Sequence, residues 1–345
     1  MKTINRLSII LLSAITFSCG NSTENKKNDF SIATNAQGNS LTIDETLKVS
    51  LNNPKKHEIS SVTYTLDGKT ISENTPLSNF KLGKHKIEAI VKFDGETQTI
   101  THPLLILNTK APKVLTFETR NIYPHDITSY TQGLEFHNDT LYESTGQYGS
   151  SKLRKVNHLT GDVYQNIDLE NIYFGEGLTV LNNKLYQLTW QRGRGFVYNP
   201  TTLKKESTFN YGNSKEGWGL CNDGKVIYKS DGTEKIWILD PETLAEKSYI
   251  QVYTNKGKIG RINEMEWIDG KIYANIYQRD GVAVINPKNG AVEAVIDFSP
   301  LKKEITQHPK LDVLNGMAFN HNTNTLFVTG KLWDKLFEVV VTEKQ

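Results

Sequence analysis

From about residue 30 to residue 108 apolar and polar side chains alternate with a period of two, in "TLKVSL", "SVTYTLDG", "HKIEAIVKFDG" and "TQTITHPLLIL". Such alternation predicts strands with one face buried, and the Asp67-Gly68 and Asp94-Gly95 pairs between the runs predict hairpin turns. The alternation stops at "NTKAPKV", residues 108 to 114, and a different pattern begins. "LEFHNDTLYEST", "LTVLNNKLYQLTW", "LCNDGKVIYKSDG", "MEWIDGKIYANIY" and "MAFNHNTNTLFVTG" each read as strand, polar turn, strand. Leu141, Leu185, Val226, Ile272 and Leu326 are equivalent, at spacings of 44, 41, 46 and 54 residues. A self-similar period of this length in an all-β chain predicts the blades of a propeller.

Several copies continue alike. "GFVYNPTTLKKEST", "IWILDPETLAEKSY" and "VAVINPKNGAVEAV" add strand, Asn/Asp-Pro turn, strand, giving four strands per blade and five blades. The last copy ends early, at "KLFEVVVTEKQ", while "VLTFETRNIY" is a strand with no blade of its own. That strand is expected to complete the last blade and join the two ends of the ring, since an unclosed ring leaves sheet edges open. The alternating segment before it resembles the immunoglobulin-like modules of exported bacterial proteins. The fold expected is therefore all-β, with an immunoglobulin-like β-sandwich over 30–110 followed by a five-bladed β-propeller over 113–345. No motif in the first unit carries chemistry, so a spacer or docking role is expected of it.

The N-terminus departs from both patterns. Lys2 and Arg6 precede an apolar run from Leu7 to Phe17, too short to span a bilayer as a mature helix, which reads as an export signal. Its end, "TFSC", resembles a bacterial lipoprotein processing site. That resemblance implies a signal peptide over 1–19, lipidation at Cys19, a polar tether over 20–29 and a lipid-anchored place in the cell envelope, periplasmic or surface-exposed. Cys221 is then the one remaining cysteine, so no intramolecular disulfide is possible. It reads as a small buried apolar residue and not as a nucleophile. Forty basic residues against thirty-eight acidic ones leave a net charge of +2, which gives no reason to expect a nucleic-acid partner. The chain is expected to be a monomer.

Candidate chemistry collects just before the first strand of each repeat, where a propeller opens its central channel. These places read "YPHDITSYTQGLEF", "YFGEGLTV", "KEGWGLCNDG", "RINEMEWIDG" and "LNGMAFN". Structural repeats favour glycine there but do not demand Gln132, Glu176, Trp218 and Asn263 at matched positions, and matched positions around a ring converge on one axis. A bare Gly-Glu-Gly reads more readily as a solvated turn, so Glu176 gains weight only from this context. The eight histidines are scattered and no cysteine pair exists, so neither a metal nor a cofactor is expected.

Together, "YPHDITSYTQGLEF", "LYESTGQYGSSKLRKV", "FGEGLTV", "LYQLTW", "EGWGL", "SDGT", "NEMEW", "IYANIY" and "VTGKLW" resemble the plant and bacterial glutaminyl-peptide cyclotransferases over roughly residues 115 to 342. The resemblance implies a five-bladed propeller that cyclises N-terminal glutamine of peptides and proteins to pyroglutamate without a metal, with ammonia released. It implies Glu176 as general acid/base, with the flanking glycines leaving room for the substrate's N-terminus. Tyr130, Gln132, Glu143, Trp190, Trp218, Asn263, Tyr277 and Lys331 match its substrate-binding residues, and His125 is expected to be structural. Tyr130 and Tyr277 depart from the family pattern, standing where phenylalanine and tryptophan are usual. The alternative from another class is a catalytically silent envelope propeller that binds peptide termini or glycans.

Overall fold

The computed structural model describes residues 29–343. The expected signal peptide, Cys19 and all but the last residue of the expected tether lie outside the described residues. Helix is confined, among the described residues, to two single 3₁₀ turns, Leu77–Asn79 and Ser299–Lys303. The N-terminal part consists of a three-stranded sheet (Ser31–Thr34, Thr46–Asn52, Asn74–Pro76) and a five-stranded sheet centred on the hairpin Gly83–Phe93/Glu96–Leu107. The alternating apolar positions of both, among them Leu47, Val49, Leu66, Ile87, Val91 and Ile106, close into one core. Asp67-Gly68 and Asp94-Gly95 take positive φ at both residues, the conformation that lets a two-residue hairpin follow the strand twist.

This part does not hang free. Lys81 Nζ donates to the Tyr249 carbonyl at 2.8 Å, Leu82 N to the Asn289 carbonyl at 2.9 Å, and Lys84 exchanges two hydrogen bonds with the Gln251 side chain. Tyr253 and Ala291 complete its core.

The remainder is propeller-like. Three four-stranded antiparallel sheets each run in sequence order, beginning at Thr131–His137, Gly175–Leu181 and Leu220–Asn222. Two further meanders begin at Ile262–Ile268 and Leu314–Asn320 and merge into one eight-stranded sheet through Lys113–Pro124. That strand pairs antiparallel with Lys335–Glu343, as expected of a closing strand, and its start also pairs in parallel with Val292–Asp297. Successive first strands pack on one another around a ring, and Leu314–Asn320 returns against Thr131–His137.

The ring is tight enough to dictate residue type. A Cβ on Gly177 would lie 2.6 Å from the Gly219 Cα, and one on Gly219 would lie 2.1 Å from the Asn263 carbonyl oxygen. Four first strands also slip register near their starts, between Thr131 and Gly133, Gly175 and Leu178, Ile262 and Met265, and Leu314 and Met317. A bulge adds a residue and re-aims its side chain. Gln132, Glu176, Asn263 and Asn315 occupy these slips.

Further along the channel the inner strand edges face no partner sheet, and buried acids satisfy their amides. Glu135 accepts from Val180 N at 2.8 Å, Glu264 from Met317 N at 3.1 Å and Glu266 from Phe319 N at 2.9 Å. Burial disfavours their charged forms and outweighs these bonds, raising all three pKa values, Glu135 to about 7. Carboxyl groups with raised native pKa values hold protons that the unfolded chain has released, so they stabilise most below the ordinary carboxylate range and lose that contribution as pH rises. The melting temperature is accordingly expected to fall as pH rises from about 5 through about 7, and Glu266→Gln to make the fall shallower. A profile unchanged by the substitution would exclude this origin.

Candidate functional site

At the mouth where the bulges lie, the re-aimed side chains enclose a cavity of about 230 Å³. Gln132, Glu176 and Asn263 reach it from three bulges and Trp218 from just before the third first strand. Trp190, Tyr277 and Lys331 each stand one residue after the second strand of their meanders, Lys184–Thr189, Lys271–Ile276 and Thr325–Gly330. Tyr130, one residue ahead of the first strand, completes this set. Eight residues singled out from sequence thus share one wall-to-wall space.

Aromatic rings form most of that wall. Tyr130 meets Phe174 edge-on at 6.0 Å, Phe174 meets Trp190 at 5.6 Å, and Trp218 meets Tyr277 at 5.4 Å. Lys331 Nζ bridges the gap between the two groups, 4.8 Å from the Tyr130 ring centre and 5.1 Å from that of Tyr277. Glu216 fixes both tryptophans, its Oε2 accepting from Trp190 Nε1 at 2.7 Å and Trp218 Nε1 at 2.8 Å. Beneath it Lys229, fully buried and pushed down to about 8 by desolvation, donates to the Glu216 carbonyl at 2.8 Å.

Glu176 is the one carboxyl group lining the cavity, and it is 4 % exposed. Its Oε1 accepts from Gln132 Nε2 at 2.9 Å, and its Oε2, equally buried, has no hydrogen-bond partner. Asn315 donates to the Gln132 side-chain oxygen at 3.3 Å, which turns the Gln132 amide so that its NH₂ faces the acid. Desolvation holds the Glu176 pKa well above the ordinary carboxylate value; Lys331 draws it down through space and Glu216 pushes it further up. Burial in turn lowers the Lys331 pKa, against the pull of Glu176 and Asp312. An acid with a raised pKa and a buried, unpartnered oxygen, in a cavity lined by aromatic rings, is suited to exchange a proton with a bound group. Among the described residues, no group of three or more His, Cys, Asp or Glu side chains is placed to hold a metal ion.

The family model for glutamine cyclotransferase matches residues 93–341. The chain belongs to the glutamine cyclotransferase family. It is 42 % identical over 220 residues to the glutaminyl-peptide cyclotransferase of Arabidopsis thaliana, an alignment covering 63 % of this chain and 68 % of that protein. It also resembles the crystal structure of Myxococcus xanthus glutaminyl cyclase, with 34 % identity, a TM-score of 0.63, and 68 % of this chain and all of the other covered.

Three features of this glutamine cyclotransferase differ from what its sequence suggests. Glu143 does not line the cavity. It is buried behind it, accepting from Thr131 Oγ1 at 2.7 Å, from Ser129, and facing His125 Nε2 at 3.2 Å, so it braces the segment that carries Tyr130 and Gln132. The glycines flanking Glu176 do not clear space for a ligand: a Cβ on Gly175 would lie 2.6 Å from the Thr145 carbonyl oxygen, and Gly177 abuts Gly219. Phe174, Glu216 and Asn315 belong to the site or its immediate support, though their motifs "YFGEG", "EGWG" and "LNGM" suggested only their neighbours. His125 fits its structural expectation, with Nδ1 on the Trp333 carbonyl at 2.8 Å. Cys221 is buried beside Met265 and Ile272, and burial pushes its thiol pKa up.

Proposed function

We propose that the chain is a glutaminyl-peptide cyclotransferase that closes N-terminal glutamine to pyroglutamate without a metal, with Glu176 as its single proton carrier. Family membership supports the reaction, and the observation that carries the mechanism is the unpartnered, buried Oε2 of Glu176 inside an aromatic cavity. The α-nitrogen attacks the γ-carbonyl of its own residue, the new C–N bond closes a five-membered lactam, the C–NH₂ bond breaks, and one proton passes from the α-nitrogen to the departing ammonia. An α-amine has an ordinary pKa of about 7.7 to 8. Burial raises the Glu176 pKa well above the ordinary carboxylate value, which narrows the gap to the amine and lowers the cost of passing a proton between them, and proximity supplies much of the rest. The amides of Gln132 and Asn263 face the space where the γ-carbonyl oxygen would gain charge.

The architecture in this reading is five blades closed by Lys113–Pro124 and preceded by an immunoglobulin-like sandwich over 30–110, with the propeller unit over 113–345. Export, lipidation at Cys19 and an envelope location belong to the same reading and rest on the N-terminal sequence alone. The test is ammonia release from a Gln-initiated dipeptide in the presence of EDTA. Turnover unaffected by the chelator is expected. Loss of turnover with chelator would overturn metal independence, and no turnover without it would overturn the enzymatic reading.

A further inference from the structure

A second cleft of about 640 Å³ opens beside the acid cavity, and the Tyr130 ring belongs to the walls of both. Thr145 and Gly146 line the cleft directly behind the cavity wall: a Cβ on Gly146 would lie 2.2 Å from the Phe174 ring and 3.0 Å from the Gln132 side chain. The Tyr130 hydroxyl donates to Asp312 Oδ2 at 2.8 Å, and Asp312 Oδ1 accepts from Val313 N at 2.8 Å, so the boundary between the two spaces is pinned.

The charges of this cleft are uneven. Lys152, Arg154 and Lys310 line it against the single carboxylate of Asp312. Arg154 is committed to Asp126 at 2.8 Å and lies near Glu143 at 3.7 Å, and Lys152 pairs with the exposed Asp168. Asp312 keeps its charge, but both its oxygens are held at the Tyr130 end of the cleft, by the Tyr130 hydroxyl and Val313 N. Lys310 makes no ion pair among the described residues, so its ammonium is left to the cleft.

A substrate whose first residue is enclosed must lead its following residues out of the cavity, and the space across Tyr130 is large enough for two or three of them. We propose that this cleft is the subsite for the residues after the N-terminal glutamine, and that it selects peptides with an acidic side chain at the second or third position. The inference rests on the cyclase reading. Charge complementarity at a solvent-exposed lysine acts chiefly on capture, so it is a KM effect that salt weakens.

The test compares kcat/KM for Gln-Ala-Ala-Ala, Gln-Glu-Ala-Ala, Gln-Ala-Glu-Ala and Gln-Lys-Ala-Ala amides, with wild type and Lys310→Glu, at low and at 0.5 M salt. Wild type is expected to prefer a glutamate peptide over the alanine peptide about 3- to 10-fold through KM, and to disfavour the lysine peptide. Lys310→Glu should invert the order while leaving the alanine peptide within about twofold, and salt should compress the differences. Equal kcat/KM for all peptides in wild type, or an order unchanged in Lys310→Glu, would overturn the subsite. Failure to turn over any peptide, the alanine one included, would instead overturn the cyclase reading beneath it.

Discussion

Glu176→Gln is expected to lower kcat for a Gln-initiated dipeptide by two orders of magnitude or more, with KM changed by less than about threefold. The substitution keeps the shape and the hydrogen-bonding reach of the side chain but removes its capacity to carry a proton. A hundredfold loss corresponds to about 2.7 kcal/mol of transition-state stabilisation, within the range that one positioned general acid/base supplies. Gln132 would still meet an amide oxygen at the Oε1 position, and the Phe174–Trp190 and Trp218–Tyr277 walls do not depend on the acid. Wild type should show a bell-shaped pH profile, because in the proposed mechanism the reactive state shares one proton between Glu176 and the α-amine: it gains a second at low pH and loses the shared one at high pH. The variant's residual activity should follow only the deprotonation of the substrate amine. Retention of more than a tenth of wild-type kcat would show that another group carries the proton, Lys331 being the nearest candidate, since it faces the same cavity with a pKa lowered by burial.

How far sequence alone reaches depends on whether a feature is local or made by closure. Strand alternation and the Asp-Gly turns are local, and the sheets follow them closely: Tyr64, Leu66, Ile87, Ala89 and Val91 point inward as their period requires. The unpaired strand "VLTFETRNIY" was legible as a closing strand because the last repeat is short, and it does pair with Lys335–Glu343. Its second, parallel pairing with Val292–Asp297 was not legible, because it depends on how two neighbouring sheets approach at their outer edges. At the site, equivalent positions of successive repeats identified Gln132, Glu176, Trp218 and Asn263, since symmetry alone brings them to one axis. Glu216 escaped because its function is defined by two indole N–H groups from different sheets, and Glu143 was misplaced because a motif records a neighbourhood and not the direction a side chain takes. Asn315 sits at the same kind of bulge as Gln132, yet its effect is exerted through the Gln132 amide and has no signature of its own.

The same distinction decides what Gly177 is for, and Gly177→Ala separates the two accounts. If the glycine cleared space for a bound N-terminus, alanine would raise KM and leave the melting temperature alone. The geometry requires the opposite. The added methyl group would stand 2.6 Å from both the Gly219 Cα and the Leu220 nitrogen, main-chain atoms that cannot swing aside as a side chain can. Relief means parting the second and third first strands, which strains the 2.7 Å hydrogen bond from Gly177 N to the Trp218 carbonyl. Overpacking of this kind costs about 1 to 3 kcal/mol and occasionally more, and contact with fixed backbone places it at the upper end. The expected result is a melting temperature lower by roughly 6 to 12 °C. A fall in kcat should accompany it, because Glu176 and Trp218 are carried by the two strands forced apart. A variant of wild-type stability with only its KM raised would return Gly177 to the substrate. An unfolded one would leave Gly175→Ala, which meets the Thr145 carbonyl oxygen at 2.6 Å within the same ring, to be measured beside Gly193→Ala, where φ, unlike that of Gly175, is positive at +61° but the Cβ meets nothing within 4 Å. Loss of stability at Gly175 well beyond that at Gly193 would assign the cost to crowding between neighbouring strands and not to the removal of glycine as such.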